Sequence, residues 1–334
     1  MREAARVLVG GGLVAFPTET VYGLGARADR AEAVRRIFTA KGRPSGNPLI
    51  VHVEDRDAAR ALAAEWPEVA DALAAAFWPG PLTLVVRRAD GAVADEVTAG
   101  GPTVAVRVPA HPAALELLRA AHVPVAAPSA NRSTTVSPTT AEHVLKTLDG
   151  EVDVVLDAGP TGFGIESTIV DVSGAVRHAG ARAVAGVPRR PLLTVLRHGA
   201  VPASALVRFG DVIDATKISV AETARAAAPG MHAKHYAPRA KVVLVAPESV
   251  RAEVDARRAE GARVGAIVRE PSTQGPGEEI KRVLPADPEG YARGLYAALH
   301  ALDDALCDAI VIARAPEGDA WAAVRDRLRR AAAD

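Results

Sequence analysis

The sequence has one cysteine, few aromatic residues and no surplus of charge of either sign. The lone thiol, Cys307, excludes an intrachain disulfide framework and any metal site built from several cysteines, and it reads as a small buried apolar residue in a reducing compartment. Aromatics make up 4% of the chain, so its cores must be mainly aliphatic. Lys plus Arg and Asp plus Glu number 40 each, which leaves no overall field to draw the protein onto nucleic acid or an anionic membrane. Any phosphate binding has to be local. No run nears the roughly 18 to 20 uninterrupted apolar residues of a membrane span. The apolar stretch from Val7 to Phe16 follows Glu3, is interrupted by Gly10, Gly11 and Gly12, and lacks a small-residue cleavage site, so no export signal is expected and a cytoplasmic location is.

Common catalytic signatures are missing too. There is no His-Glu-x-x-His and no Gly-x-Ser-x-Gly. The run Gly10 to Gly12 precedes a strand pattern, whereas a phosphate loop follows one, and it fits a helix end with a tight turn. His232 and His235 stand one helical turn apart, but no third metal ligand is evident.

What is present is an ordinary globular composition, 49% hydrophobic and 24% charged, over 334 residues, long enough for two domains. Residues 1 to about 200 alternate short apolar runs with helical patterns, the form of an α/β domain. Strands are expected at Leu13 to Phe16, Leu49 to Val53, Leu82 to Val86, Thr103 to Val106, Val123 to Ala126, Val152 to Leu156 and Thr168 to Val172. Asp29 with Glu32 reads as a helix start, and Pro112 opens another helix. Residues 201–238 weaken into a linker. A smaller α/β domain, 239–334, follows, with strands at Val242 to Val245, Val264 to Val268 and Ile310 to Ile312 and a helix face of Leu295, Leu299, Leu302 and Leu306.

Two segments suggest chemistry. Lys41-Gly-Arg43 places two cations two residues apart before a strand; an extended segment would point both the same way, toward an anion such as a triphosphate. Val125-Ala-Ala-Pro-Ser-Ala-Asn131 ends a strand in Ser129 and Asn131, where open α/β sheets bind ligands. Taken singly, exposed surface charges and a capped turn explain these segments as well.

They do not stand singly. Phe16-Pro-Thr-Glu-Thr-Val-Tyr-Gly-Leu-Gly25, Lys41-x-Arg43, Trp78-Pro-Gly-Pro-Leu-Thr83, Thr103-Val-Ala-Val-Arg107, Pro128-Ser-Ala-Asn131, Ser137-Pro-Thr139 and Glu166-Ser-Thr-Ile169 occur in one order and spacing. That series resembles the YrdC-like threonylcarbamoyl-AMP synthase family. Gly230-Met231 with Lys234-His-Tyr-Ala-Pro238 is similar to the linker of its long, two-domain form. The resemblance implies a twisted open-sheet catalytic domain over 1–200, a linker over 201–238 that folds over the active site, and a Rossmann-like C-terminal domain over 239–334. It implies that L-threonine, bicarbonate and ATP are joined into threonylcarbamoyl-AMP with release of pyrophosphate, Mg²⁺ accompanying the phosphates. The product would pass to a complex that modifies the adenosine beside the anticodon of tRNA.

By the same resemblance, Lys41, Arg43, Ser129 and Asn131 line the catalytic cavity. Ser45, Thr103, Ala127, Ser137 and Tyr236 complete the ATP site, and Thr18, His52, Arg107 and Ser167 hold threonine. Where the family carries an ATP-contacting Arg-Pro-Gly, the sequence reads Arg177-His178-Ala179-Gly180, and either Arg177 or His178 can stand in. Hydrogenase-maturation carbamoyltransferases contain a similar domain, but they need zinc-finger cysteines that are missing. An RNA-binding module using the same basic cavity is a rival from another class, which the neutral overall charge disfavours.

Overall fold

The computed structural model describes residues 1–175, 190–216, 236–271 and 280–333. Arg177, His178, His232 and His235 lie outside them. In chain order the first unit contains α1 (Arg2–Val9), β1 (Val14–Pro17), β2 (Tyr22–Arg27), α2 (Ala31–Lys41), β3 (Ile50–His52), α3 (Arg56–Ala61), β4 (Ala63–Glu65), α4 (Glu68–Phe77) and β5 (Leu82–Arg88). There follow β6 (Thr103–Arg107), α5 (Pro112–Ala121), β7 (Val125–Ala126), α6 (Ala141–Leu148), β8 (Val154–Val155), β9 (Thr168–Asp171), β10 (Leu192–Arg197) and β11 (Asp211–Asp214). These strands form one mixed sheet in the order β11-β10-β9-β5-β6-β3-β7-β2-β1-β8, with β4 on β5. Aliphatic side chains on both faces explain why the central strands read as near-continuous apolar runs: β5 and β6 are buried along almost their whole length.

The second unit is β12 (Lys241–Val245), α7 (Val250–Ala259), β13 (Val264–Arg269), β14 (Lys281–Leu284), α8 (Pro288–Asp304), β15 (Ala309–Ala313) and α9 (Ala322–Ala331). Its sheet, β12-β15-β13-β14, is parallel throughout. Among the described residues, no helix is long and apolar enough to cross a membrane.

Three local expectations are corrected. β11 lies within the stretch expected as linker but pairs with β10 in the first sheet; its Asp-Val-Ile-Asp sequence is largely exposed and carries little hydrophobic signal. Asp29 does not cap α2, because Arg27 holds its carboxylate at 2.6 Å and Arg30 occupies the cap position. Leu306 falls beyond the end of α8 and is 69% exposed.

The two units share a core. Val21, Val136 and Ile165 of the first pack in one cluster with Leu295, Tyr296 and Leu299 of α8. Close backbone approach supports this: at Gly164 (φ 74°) a Cβ would lie 2.5 Å from the carbonyl oxygen of Arg293, so only glycine fits. Ile165→Ala should therefore cost about 2–4 kcal/mol of stability, the usual range for a buried isoleucine. A denaturation midpoint shifted by less than about 0.5 kcal/mol equivalent would contradict a shared core.

Candidate active site

Strand register assembles the site. β3 and β6 run parallel with His52 opposite Arg107, so these two side chains leave adjacent strands together. β9 pairs with β5 from Thr168 opposite Leu82, which sets Ser167 just before the strand. β10 runs antiparallel to β9 with Arg197 opposite Ile169. From the other side, Gly23 bridges Ser129.

One cavity is lined by Thr18, His52, Arg107 and Ser167 of the expected threonine set. It is also lined by Arg43, Ala127, Ser129 and Tyr236 of the expected nucleotide set. Thr20, Glu166 and Arg197 line it as well, and the sequence reading did not nominate them. Ser45 is exposed and Thr103 half-buried at the start of β6; neither lines the cavity.

Lys41 and Arg43 do not come from an extended segment. Lys41 ends α2, and Gly42 turns the chain in the left-handed region (φ 58°). The Lys41 ammonium is buried and donates to the carbonyl oxygens of Ser129, at 2.6 Å, and Asn131. Burial, then Arg43, pushes it well below the usual lysine range. Asn131 in turn donates through Nδ2 to the carbonyls of Arg132 and Thr135 at 3.0 and 2.9 Å. In this state Lys41 and Asn131 therefore fix the shape of the Ser129 turn from behind.

The cavity is cationic. Arg43 donates through Nε and Nη2 to the carbonyls of Asn47 and Pro48 at 3.1 and 2.9 Å. Burial, with Tyr236 opposing and Arg197 adding to it, lowers its pKa from 12.5 to about 9. Arg107 lies 2.7 Å from Glu19 Oε1, off the axis of a hydrogen bond, and donates to Thr20 Oγ1 at 3.0 Å and Gly80 O at 3.2 Å. Arg197 donates through Nε to Ser167 O and through Nη2 to Ser167 Oγ, at 3.0 and 2.9 Å. Burial lowers its pKa too. A Cβ on Gly199 would sit 2.3 Å from the Ser167–Thr168 backbone, so glycine is what lets the Arg197-His198-Gly199 turn reach Ser167. Guanidinium groups held in a cavity at the expense of their own solvation form an anion site.

Among the described residues that line the cavity, Glu166 is the one carboxylate, and it is spent. It accepts from Ser137 Oγ at 2.6 Å, Arg327 Nε at 2.7 Å and Tyr296 Oη at 3.0 Å. Burial would raise its pKa, but the charges of Arg327 and Arg197 and the hydrogen bonds from Ser137 and Arg327 outweigh that and hold it below the usual carboxylate range. Arg327 also lies 5.0 Å from the centre of the Tyr236 ring, which stacks on Tyr296 at 5.8 Å. The second unit thus holds both Glu166 and the aromatic wall of the cavity. The remaining space is about 50 Å³, room for a water or two. Ligand pockets of nucleotide size need several hundred Å³, so in this state the lined space by itself does not hold a nucleotide.

Arg197 follows Ser167 by 30 residues, further than the position at which Arg177 was sought. An aliphatic run, Leu192 to Leu196, ending in Arg-His-Gly was its available signal.

His52 packs edge-on against Phe16 at 6.1 Å, and among the described residues its buried Nδ1 has no hydrogen-bond partner. Burial and then Arg107 depress its pKa from 6.5 to about 3. The unfolded chain therefore takes up this proton below pH 6.5 while the folded protein does not, so stability present above that pH is lost as pH falls toward about 3. Replacing His52 by Gln should flatten the fall in unfolding free energy over this range by up to about 1.4 kcal/mol per pH unit. Unchanged pH dependence in the variant would show that His52 is not the neutral buried group described.

Comparison with known proteins gives the following. A family model described as "Telomere recombination" matches residues 6–179, and one described as the threonylcarbamoyl-AMP synthase C-terminal domain matches residues 201–333. A threonylcarbamoyl-AMP synthase of Bacillus subtilis is 38% identical over 99% of this chain and 92% of its own length. One of Pyrococcus abyssi is 40% identical over 99% and 93%. The crystal structure of P. abyssi Sua5 complexed with L-threonine superposes with a TM-score of 0.86 at 38% identity, covering 99% of this chain and 93% of that one.

Proposed function

The chain belongs to the threonylcarbamoyl-AMP synthase family, and from that premise we propose that it joins L-threonine, bicarbonate and ATP into threonylcarbamoyl-AMP, releasing pyrophosphate. The observation that carries the reading is the cationic cavity: Arg43, Arg107 and Arg197 line one space whose one lining carboxylate among the described residues, Glu166, is neutralised by Arg327, with Glu19 beside Arg107.

The chemistry needs such a space. Threonine's amine condenses with bicarbonate to a carbamate with loss of water. A carbamate oxygen then attacks the α-phosphorus of ATP, and pyrophosphate leaves. Nucleophile and ATP are both anionic, so the site has mainly to offset repulsion and hold the reactants in line. Arg107 takes the threonine carboxylate, exchanging its contacts with Glu19 and Thr20. Thr18, His52 and Ser167 surround the rest of the amino acid. Arg43 and Arg197 face the phosphates, Arg197 in the place of the family's Arg-Pro-Gly arginine. Lys41 and Asn131 keep the Ser129 turn shaped for the nucleotide, with Ala127 beside it and Ser137 held against Glu166.

Among the described residues, no group of three or more His, Cys, Asp or Glu side chains could hold a metal ion. Glu166 is committed to Arg327, so Mg²⁺ is proposed to arrive on the phosphates without a protein carboxylate. Tyr236 closes the cavity over the bound reactants and keeps water from the mixed anhydride. The product is handed to a tRNA-modifying transfer complex in the cytoplasm.

Pyrophosphate release measured with each substrate omitted in turn tests this. Release should require threonine, bicarbonate and ATP together, and Arg43→Ala should lower kcat/KM by about a hundredfold or more, as for loss of one preorganised charge donor. Release without threonine would point to another carbamoyl acceptor, and no release at all would reject the reading.

A further inference from the structure

The second unit touches the Ser137-Pro138-Thr139 turn, whose Ser137 hydroxyl reaches Glu166 of the cavity wall, at a point no step above uses. His300, on α8, is 8% exposed, and its Nε2 lies 3.1 Å from the carbonyl oxygen of Ser137. A carbonyl only accepts, so Nε2 carries the proton. His143, on α6, faces it with ring centres 3.8 Å apart and planes 19° apart. His143 Nδ1 accepts from the backbone N–H of Thr139 at 3.3 Å and lies 3.2 Å from Thr139 Oγ1, so that nitrogen is unprotonated. The two rings thus hold both ends of the Ser137-Pro138-Thr139 turn, one from each unit. An ion pair between Lys146 and Asp304 joins the same two helices beside the stack.

The rest of the turn is fastened as well. Pro138 O accepts from Tyr22 N at 2.9 Å, and Thr139 O accepts from Thr161 N at 3.0 Å. Ser137 Oγ reaches Glu166 in the cavity wall. His300 supplies the contact to this turn that originates in the second unit, and it fixes the carbonyl of the residue whose hydroxyl touches that wall. Burial keeps both imidazoles neutral, each pKa being lowered, so the stack is not split by mutual repulsion near neutral pH.

We propose that His300 is a positioning residue for nucleotide binding: stacked on His143, it holds the Ser137 carbonyl and so sets the turn whose Ser137 hydroxyl meets Glu166 of the cavity wall. This rests on the synthase reading for the identity of the nucleotide. It assigns to the second unit a part in ATP affinity distinct from its Arg327 contact with Glu166.

The test measures ATP binding by calorimetry on the full chain, beside steady-state pyrophosphate release. His300→Leu removes the donor, and loss of one neutral buried hydrogen bond should weaken ATP binding about three- to tenfold. KM for threonine and kcat should stay within about twofold, a split that general loosening of the fold would not give. His300→Gln keeps an N–H donor at similar reach and should recover most of the affinity, while His143→Ala, which removes the stack, should weaken ATP binding in the same direction. Overturning results are an unchanged ATP Kd in folded His300→Leu, or equal losses in ATP affinity, threonine KM and kcat that His300→Gln does not recover. If the wild type bound ATP yet released no pyrophosphate, the synthase reading would fail while the calorimetric comparison still decided the role of His300.

Discussion

A carboxylate buried between two domains has to be satisfied on both oxygens or it forces the domains apart, and Glu166 sets that constraint here. At 5% exposure its desolvation costs several kcal/mol, offset only by good geometry. Arg327, with a fully buried side chain, supplies the counter-charge at 2.7 Å, and Ser137 and Tyr296 supply hydrogen bonds. Arg327 is itself held by Asp326 at 2.9 Å and by His198 O at 2.9 Å. The network therefore runs from α9 through the cavity wall to the turn after β10, and the position of each partner follows from the need to keep Glu166 charged.

Two consequences reach the chemistry. With Glu166 neutralised from behind, Arg43, Arg107 and Arg197 give the cavity a cationic interior in a chain whose net charge is zero. The charge that matters is local and oriented, as a site for two anionic reactants requires. The Arg327 guanidinium also lies 5.0 Å from the centre of the Tyr236 ring, so this cavity-lining aromatic rests on the domain joint.

Much of this was legible in the sequence because aliphatic runs in buried strands leave little ambiguity. Thr103 to Val106, Leu82 to Val86 and Ile310 to Ile312 all read as strands and are strands. β2 was missed because Tyr-Gly-Leu-Gly-Ala-Arg contains two glycines, one of them Gly25, where a Cβ would lie 2.8 Å from Phe16 and 2.9 Å from Val125, and glycine weakens the strand signal. Within the site, the motif residues that line the cavity were nominated from resemblance, whereas Arg197, Glu166 and Arg327 depend on partners far along the chain. Glu166 and Arg327 are 161 residues apart, and no local pattern announces such a pair. Lys41 shows the converse: its spacing to Arg43 suggested a shared direction, but the left-handed Gly42 turns the chain and the ammonium goes to carbonyl oxygens.

A double-mutant cycle between Glu166 and Arg327, using Glu166→Gln and Arg327→Met, tests the central claim most directly, with unfolding free energy and threonine-dependent pyrophosphate release both measured. If the pair is the joint that holds the anion site, each single variant should lose stability and turnover, and the double variant should lose far less than their sum, with a coupling of about 2 kcal/mol or more in both readouts. Additive losses within about 0.5 kcal/mol would mean that the two residues act independently and that the cationic cavity does not depend on the second domain.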